Sequence, residues 1–228
     1  MATKTYQSLV EGVRHFETRV APLMRERLAE LGSGQAPSTL FVTCSDSRVS
    51  PNLITQTGPG DLFVLRNAGN LVPVHGAGED SSDSAVEYAV SALGVSQIVV
   101  CGHLGCGAMA ALMDPASTES LAAVRRWLLR AEGTRQAVLE LPAADRSPAR
   151  IVERNVHAQL QNLLTHPCVQ DALEAGTLSL HGWIYDVGTG QVQVLDVSID
   201  APVRTLALAE AHSGVGLGAG SSLGAQAR

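Results

Sequence analysis

The sequence predicts a single α/β domain built on a central, mostly parallel sheet. The chain has 228 residues, which is enough to bury one large core. Its composition is rich in aliphatic and poor in aromatic residues, and this suits parallel strands that are covered by helices. Short apolar runs also alternate with segments of helical periodicity, as they do in βαβ units joined by right-handed crossovers.

The first element is predicted to be an amphipathic helix within an N-terminal arm, residues 1–34. Apolar side chains recur at helical spacing from Tyr6 to Val20, so one face of this helix is apolar. No strand precedes it, and its apolar face can pack either on its own domain or on a partner subunit. A loop rich in Gly, Ser and Pro, Gly32 to Ser38, leads into the main domain, residues 35–200.

The main domain is predicted to alternate strands and helices, each strand being a short apolar run bounded by turn residues. We expect strands at Thr39–Thr43, Leu62–Arg66, Val95–Cys101 and Leu178–Val187, and an antiparallel fifth strand at Gln191–Val197. We expect helices on both faces of the sheet, at about Ser82–Leu93, Ala108–Met113, Leu121–Ala131 and Ile151–Leu164. The segment 201–228 is rich in Gly, Ala and Ser from His212 onward, which predicts a flexible tail.

Charge and the N-terminal sequence argue against several classes of protein. The net charge is −6 and no large cluster of Lys and Arg is present, so neither nucleic acid nor an anionic membrane is an expected partner. The first residues lack the apolar run of a signal peptide, and no apolar stretch has the length of a membrane span. We therefore expect a cytoplasmic protein, whose four cysteines are metal ligands or core residues rather than disulfides.

Two short runs carry the candidate chemistry. They are Cys44-Ser45-Asp46-Ser47-Arg48 and Cys101-Gly102-His103-Leu104-Gly105-Cys106-Gly107. Two thiolates and one imidazole, from Cys44, Cys106 and His103, are a complete three-ligand set for a catalytic zinc ion, with a fourth position left for water or a substrate. A carboxylate and a guanidinium beside that position, Asp46 and Arg48, indicate catalysis rather than structural support.

The metal hypothesis also constrains the order of the strands. Cys44 closes the first predicted strand and His103 follows the third, so these two strands must be neighbours if one ion is to bind both residues. The second strand then lies on the other side of the first, and the predicted order is 2-1-3-4 plus the antiparallel fifth strand. Open α/β sheets bind ligands at the switch point that this order creates, beyond the carboxyl ends of the strands.

The other cysteines and histidines are interpreted as residues without a metal. Cys101 and Cys168 are expected to be small apolar core residues. A redox function is disfavoured because no Cys-x-x-Cys motif is present. The remaining histidines are expected to be surface or capping residues: His15, His75, His157, His166, His181 and His212.

Taken together, these motifs resemble the β-class carbonic anhydrases, from about Gln35 to Val197. The similarity includes Cys-x-Asp-x-Arg followed by His-x-x-Cys, Arg66-Asn67-Ala68-Gly69-Asn70 and Glu87-Tyr88-Ala89-Val90. The resemblance implies one Zn²⁺ per chain with Cys44, His103 and Cys106 as its ligands. It also implies that Asp46 and Arg48 form the catalytic dyad.

The implied activity is the reversible hydration of CO₂ to bicarbonate and a proton. Zinc-bound hydroxide would attack CO₂ while Asp46, held by Arg48, orients it; an Asp46 that Arg48 released could instead become a fourth zinc ligand in a closed state. Gln35 matches a position that hydrogen-bonds the substrate in plant-like members. Phe41 stands where the bicarbonate-regulated subtype carries Trp, which favours the plant-like, unregulated subtype. The implied pocket residues are Phe63, Ala68, Tyr88 and Gly107, with Ala68 smaller than the usual aliphatic residue.

The resemblance further implies a homodimer or a dimer of dimers in which the N-terminal arm crosses to the neighbour. Two other functions stay open at this point. One is a hydrolase of the same architecture that acts on carbonyl sulfide or carbon disulfide, with the same ligands and dyad. The other is a zinc-binding or bicarbonate-binding module without catalysis, against which the intact Asp46–Arg48 pair and Gln35 argue.

Overall fold

The computed structural model describes residues 5–77 and 81–196. Five strands form one sheet in the order β2-β1-β3-β4-β5. They are β1 Thr39–Cys44, β2 Leu62–Asn67, β3 Gln97–His103, β4 Ser179–Tyr185 and β5 Val192–Leu195. The first four strands run parallel and β5 pairs antiparallel with β4. The predicted α/β class, mostly parallel sheet, strand order and C-terminal hairpin are therefore confirmed. The helices expected on both faces are not, because the apolar cluster on one face of the described sheet consists only of strand residues.

Nine α-helices are found among the described residues. They are α1 Tyr6–His15, α2 Arg25–Gly32, α3 Pro51–Thr55, α4 Ser81–Glu87, α5 Gly107–Met113, α6 Ala122–Leu128, α7 Glu132–Leu139, α8 Pro148–Leu163 and α9 Pro167–Glu174. The sequence interpretation missed α2, α3, α7 and α9, which span five to eight residues. Such short helices show too few turns for an apolar period to stand out.

Two boundaries differ from the prediction for physical reasons. β3 begins at Gln97 rather than Val95 because the Val95 N–H bonds to the Ala89 carbonyl, in the turn that follows α4. It continues to His103, which pairs with Tyr185 of β4, so His103 ends the strand instead of following it. Val197, the expected end of the fifth strand, and the tail from His212 lie outside the described residues.

One face of the sheet packs on α4, α8 and α9. Leu40 and Val42 of β1 and Ile98 and Val100 of β3 lie in this core, with apolar side chains of the three helices against them. β3 and α8 approach each other closely at Gly102. A Cβ atom there would lie 2.7 Å from Val152 and 2.9 Å from Val156, so only glycine allows this packing distance.

The opposite face carries a second apolar cluster whose members all lie on strands. Phe41, Val99 and Cys101 form its buried part, and Trp183 packs edge-on against Phe41 with ring centroids 5.8 Å apart. An open groove of about 560 Å³ lies along the same side chains toward the amino ends of the strands. Parallel sheets are normally covered on both faces, which makes this groove relevant to assembly.

The N-terminal arm contacts its own domain through α2. Arg27 donates to the Asp61 carboxylate at 2.8 Å and to the Pro59 carbonyl at 3.2 Å. The apolar side chains of α1 remain exposed, including Tyr6 (82%) and Leu9 (56%). None of the helices in residues 5–77 and 81–196 combines the length and apolar character that crossing a membrane requires.

Candidate metal centre

Three potential metal ligands converge at the carboxyl edge of the sheet. Cys44 is the last residue of β1 and His103 the last of β3, and these strands are neighbours. Cys106 lies at the N-cap of α5, where a turn with Gly105 at φ +70° returns the chain toward Cys44. The Sγ atoms of Cys44 and Cys106 are 3.9 Å apart, and the candidate ligand atoms of the three residues all lie within 4.8 Å of one another.

The ring of His103 is oriented as a metal ligand. Its Nδ1 lies 3.1 Å from the Leu104 carbonyl oxygen, and a carbonyl can only accept, so Nδ1 carries the proton. Nε2 then presents a lone pair toward the cysteines, and this buried atom has no hydrogen-bond partner. Ligating histidines usually donate their other N–H to such a backbone carbonyl. A buried lone pair without a partner costs free energy, which a metal ion would recover.

The two thiols are poised to lose protons to a metal. The pKa of Cys44 is lowered to about 4, first by the hydrogen bond with Cys106 and further by His103 and the Gly69 N–H. The shared proton, together with burial, raises the pKa of Cys106. A divalent cation that binds both sulfur atoms displaces the proton that they share. The residues present therefore fit a zinc ion.

The Asp46 carboxylate is held by three N–H groups of Arg48. Arg48 Nε donates to Oδ1 at 2.9 Å, its NH2 group to Oδ2 at 2.7 Å, and its backbone N–H to Oδ1 at 3.0 Å. The hydrogen bonds from Arg48 hold the pKa of Asp46 well below its usual range. The same guanidinium donates to the Gly105 carbonyl at 3.1 Å. The dyad is thereby tied to the turn that carries Cys106.

Asp46 lies next to the candidate ligands. Its Oδ2 atom is 3.8 Å from His103 Nε2. Arg66 supports the same segment from β2, donating to the backbone carbonyls of Cys44 at 3.1 Å and Asp46 at 2.8 Å. The sequence interpretation noted Arg66 only as part of a motif and gave it no role. The available signal was an arginine near the carboxyl end of β2, the strand that pairs with β1 and its Cys44.

The loop that follows β2 is fastened to α8 by two buried amides that sequence reasoning also missed. Asn155 Nδ2 donates to the Gly69 carbonyl at 2.9 Å, and Asn155 Oδ1 accepts from Gln159 Nε2 at 2.9 Å. Gln159 in turn accepts from the Val72 N–H at 2.8 Å. Gly69 N–H points at Cys44 Sγ, 3.4 Å away, so this network reaches the metal centre. Two amides four residues apart on an otherwise apolar helix face were the signal.

The implied pocket residues fall into two groups. Ala68 and Gly107 are exposed at the same edge as the candidate ligands; the Ala68 carbonyl accepts from Trp127 Nε1 at 2.7 Å, and a Cβ atom on Gly107 would meet nothing within 4 Å. Phe63 and Tyr88 pack together, with their ring centroids 5.9 Å apart. Phe63 of β2, however, lies opposite Leu40 of β1. At about 3.3 Å per residue, Leu40 is roughly 13 Å along the strand from Cys44.

Gln35 is also distant from the candidate ligands of its own chain. It precedes β1, whose first residue is Thr39, and the strand rise places Thr39 roughly 17 Å from Cys44. Gln35, Phe63 and Tyr88 therefore do not join the metal centre within one chain. A pattern along one strand shows which residues share a face, but not which chain completes a pocket.

The chain is similar to several known proteins. A family model for carbonic anhydrase matches residues 39–192. A carbonic anhydrase of Pseudomonas aeruginosa is 46% identical over 207 residues, which cover 90% of this chain and 92% of that protein. The solved structure of the β-carbonic anhydrase CcaA is 45% identical with a TM-score of 0.80, covering 83% of this chain and 94% of that one. A structure from a study of two tetrameric β-carbonic anhydrases of Sordaria macrospora is 28% identical with a TM-score of 0.74, covering 84% and 97%.

Proposed function

The chain belongs to the β class of the carbonic anhydrase family, and from this premise we propose that it catalyses the reversible hydration of CO₂ with one zinc ion per chain. The observation that carries the proposal is the meeting of Cys44, His103 and Cys106 beside a formed Asp46–Arg48 pair. A structural zinc site would close with a fourth protein ligand. Here an acid–base pair stands beside the three ligands instead.

Cys44, His103 and Cys106 are the residues that would hold the zinc ion. When bound, zinc supplies a Lewis acid that activates water for attack near neutral pH. The backbone favours the thiolate form that zinc requires, because the Gly69 N–H points at Cys44 Sγ and Cys106 lies at the start of α5. The Leu104 carbonyl keeps Nε2 of His103 unprotonated and aimed at the same point.

Asp46 is proposed to orient the attacking water. Arg48 keeps Asp46 ionised, and an ionised carboxylate can only accept hydrogen bonds. Asp46 would therefore accept a hydrogen bond from the attacking water. This hydrogen bond would turn a lone pair of the water oxygen toward CO₂. The bidentate contact and the tie to Gly105 fix the carboxylate, so little reorganisation is needed during reaction. An Asp46 freed from Arg48 could move toward the ligands and close the site.

Gln35 is proposed to act on the metal centre of a second copy of the chain. Its side chain is exposed, and it lies at the wrong end of β1 to reach its own Cys44. An amide N–H there can donate to a developing bicarbonate oxygen. Phe63 and Tyr88, also distant from their own Cys44, would line the partner's pocket beside that chain's Ala68 and Gly107. This set, with Phe41 in place of Trp, supports the plant-like subtype.

We propose a homodimer in which the N-terminal arm, residues 1–34, packs on the neighbour. The exposed apolar side chains of α1 and the groove beside Phe41 and Trp183 are surfaces that a second copy would cover. The tetrameric relatives support pairing of dimers. We retain 35–200 as the catalytic domain and 201–228 as a separate C-terminal segment. A cytoplasmic location, where thiols stay reduced, remains our proposal.

The test is stopped-flow CO₂ hydration at about pH 7 and about pH 8.5, with zinc content measured on the same sample. We expect one zinc per chain and hydration that rises with pH. Arg48→Ala and Asp46→Ala should lose activity while they keep zinc. Full activity in either variant refutes the dyad. Zinc-loaded protein without hydration refutes the proposed reaction, and assays with carbonyl sulfide and carbon disulfide then separate a sulfur-substrate hydrolase from a silent binding module.

A mixed dimer tests the role of Gln35. Chains carrying Gln35→Ala and Asp46→Ala are co-expressed with different affinity tags, and the heterodimer is purified through both. If Gln35 serves the partner, one site of the heterodimer has every residue intact, and activity should be about half of wild type. If Gln35 serves its own chain, each site lacks one residue, and activity should equal the mean of the Gln35→Ala and Asp46→Ala homodimers, which is below half of wild type.

A further inference from the structure

A second cluster of ligand-type side chains lies away from the metal centre. His75 lies in the loop after β2, Asp83 is in the first turn of α4, and His166 is at the N-cap of α9. One potential ligand atom from each lies within 4.8 Å of the other two. The sequence interpretation placed both histidines among surface or capping residues. His166 does occupy a capping position, but it is 1% exposed, so the surface interpretation is wrong for it.

The hydrogen bond of His166 fixes its tautomer. Nε2 lies 3.1 Å from the Pro73 carbonyl oxygen, which can only accept, so Nε2 carries a proton. In the neutral ring Nδ1 is then a lone pair, and it faces Asp83 Oδ1 at 3.5 Å. A ligating histidine that donates its other N–H to a backbone carbonyl is the usual second-shell arrangement.

The distances between the three side chains favour a metal ion over a shared proton. His75 Nδ1 lies 3.7 Å and His166 Nδ1 3.5 Å from the Asp83 carboxylate oxygens. A charge-assisted N–H···O hydrogen bond would be about 2.7–2.9 Å. Nitrogen and oxygen ligands at about 2.0–2.2 Å from a tetrahedral zinc ion are roughly 3.4 Å apart. The His75 separation runs to Oδ2 and the His166 separation to Oδ1; both are longer than a charge-assisted hydrogen bond, and they place the two imidazoles at the two oxygens of one carboxylate.

The surroundings suit an ion that enters from solvent. The His75 side chain is about half exposed (49%), whereas that of His166 is buried (2%), so the cluster opens on one side only. The backbone is anchored on each side of the cation position: the His75 N–H donates to Thr165 Oγ1 at 2.9 Å and the Gly76 N–H to Asp83 Oδ2 at 3.2 Å. These bonds hold the ligands of three different elements in place.

We propose that His75, Asp83 and His166 form a second metal site, for a divalent transition-metal ion with zinc as the first choice. Two imidazoles and one carboxylate suit Zn²⁺, Ni²⁺ or Co²⁺ better than the hard ions Mg²⁺ and Ca²⁺. The fourth position is open to water on the side of His75. An ion here would clamp the loop after β2 to the start of α9. The site is independent of the proposed CO₂ chemistry.

The test is metal titration of tag-free, zinc-loaded full-length protein. Equilibrium dialysis against Zn²⁺, with metal counted by mass spectrometry, should show about one ion per chain beyond that of the catalytic centre. His75→Ala and Asp83→Asn should weaken this extra site at least about tenfold, while the matched control His15→Ala, an exposed histidine on α1, leaves it unchanged. CO₂ hydration should persist in all three variants.

Crystals soaked in Zn²⁺ give a second, direct readout. Anomalous scattering at the zinc edge should show a peak between His75 Nδ1, His166 Nδ1 and Asp83. Absence of that peak, or dialysis that gives His75→Ala the same extra zinc as wild type, overturns the proposal and leaves a protonated His–Asp cluster. Failure of the catalytic site is distinguishable, because Cys106→Ser weakens binding of the ion at that centre and leaves the second site unchanged.

Discussion

Replacing Asn155 with Ala tests how the loop beside the metal centre is held. The side chain is 1% exposed and joins the Gly69 carbonyl to the Gln159 amide. Its loss leaves two buried polar groups, each of which costs roughly 1–3 kcal/mol when unsatisfied. Water that enters the vacated space recovers part of this cost. We expect the free energy of unfolding to fall by about 2–4 kcal/mol.

The same change should reach the metal. Gly69 directs its N–H at Cys44 Sγ, so a loosened Gly69 stabilises the thiolate less and zinc affinity should fall by about tenfold. Urea unfolding followed by circular dichroism measures the first effect, and competition with a chromophoric chelator measures the second.

Gln161→Ala is the matched control for Asn155→Ala, because Gln161 is exposed on the same helix and should change stability by less than about 0.5 kcal/mol. Equal stability of the two variants would refute the bracing role of Asn155. Lost stability with unchanged zinc affinity would refute its connection to the metal.

Three further predictions concern the centre and its support. Cys106→Ser should weaken zinc binding at least about tenfold, because a hydroxyl does not ionise as a thiol does; zinc content after dialysis checks this. Gly102→Ala should cost about 1–3 kcal/mol of unfolding free energy through overpacking against α8, whereas Gly133→Ala, where nothing lies within 4 Å, should stabilise its helix by up to about 1 kcal/mol; equal effects in urea unfolding contradict the packing argument. Arg48 lowers the pKa of Asp46 well below its usual range, so this pair stabilises metal-free protein fully above about pH 5 and less as the pH falls below the ordinary Asp pKa of about 4. The stability gap to Arg48→Ala should shrink as the pH falls from about 5 toward about 2, and a constant gap contradicts the assignment.

The sequence was sufficient for the parts of the fold that the metal hypothesis constrains. Because Cys44 and His103 had to meet, β1 and β3 had to be neighbours, and the observed sheet order confirms this. The extent of β3 was less predictable. Val95 belongs to the same apolar run as β3, but its N–H bonds to Ala89 in the turn after α4, so the run does not show where the strand begins. Only the pairing of His103 with Tyr185 shows where the strand ends.

Contacts between distant segments were beyond the reach of pattern reasoning. Asn155 and Gln159 look like ordinary amides until α8 is placed against the loop after β2. His166 gives no local signal of burial, since its environment comes from Pro73 and Asp83. Gln35 was selected by its offset from Cys44, but an offset in sequence does not tell which subunit's centre a residue serves.

The spacing of the two cysteines has a consequence for how the chain is made. Cys44 and Cys106 are 62 positions apart, and they meet only when β1 has paired with β3. A growing chain that has emerged as far as β2 offers a single thiol and could not retain the proposed zinc ion. Binding of that ion would therefore wait for a long-range contact, the slow kind of step in folding, and once bound it would close a large loop and oppose reopening. During biosynthesis, a zinc-loaded centre would mark a chain whose central strands have assembled.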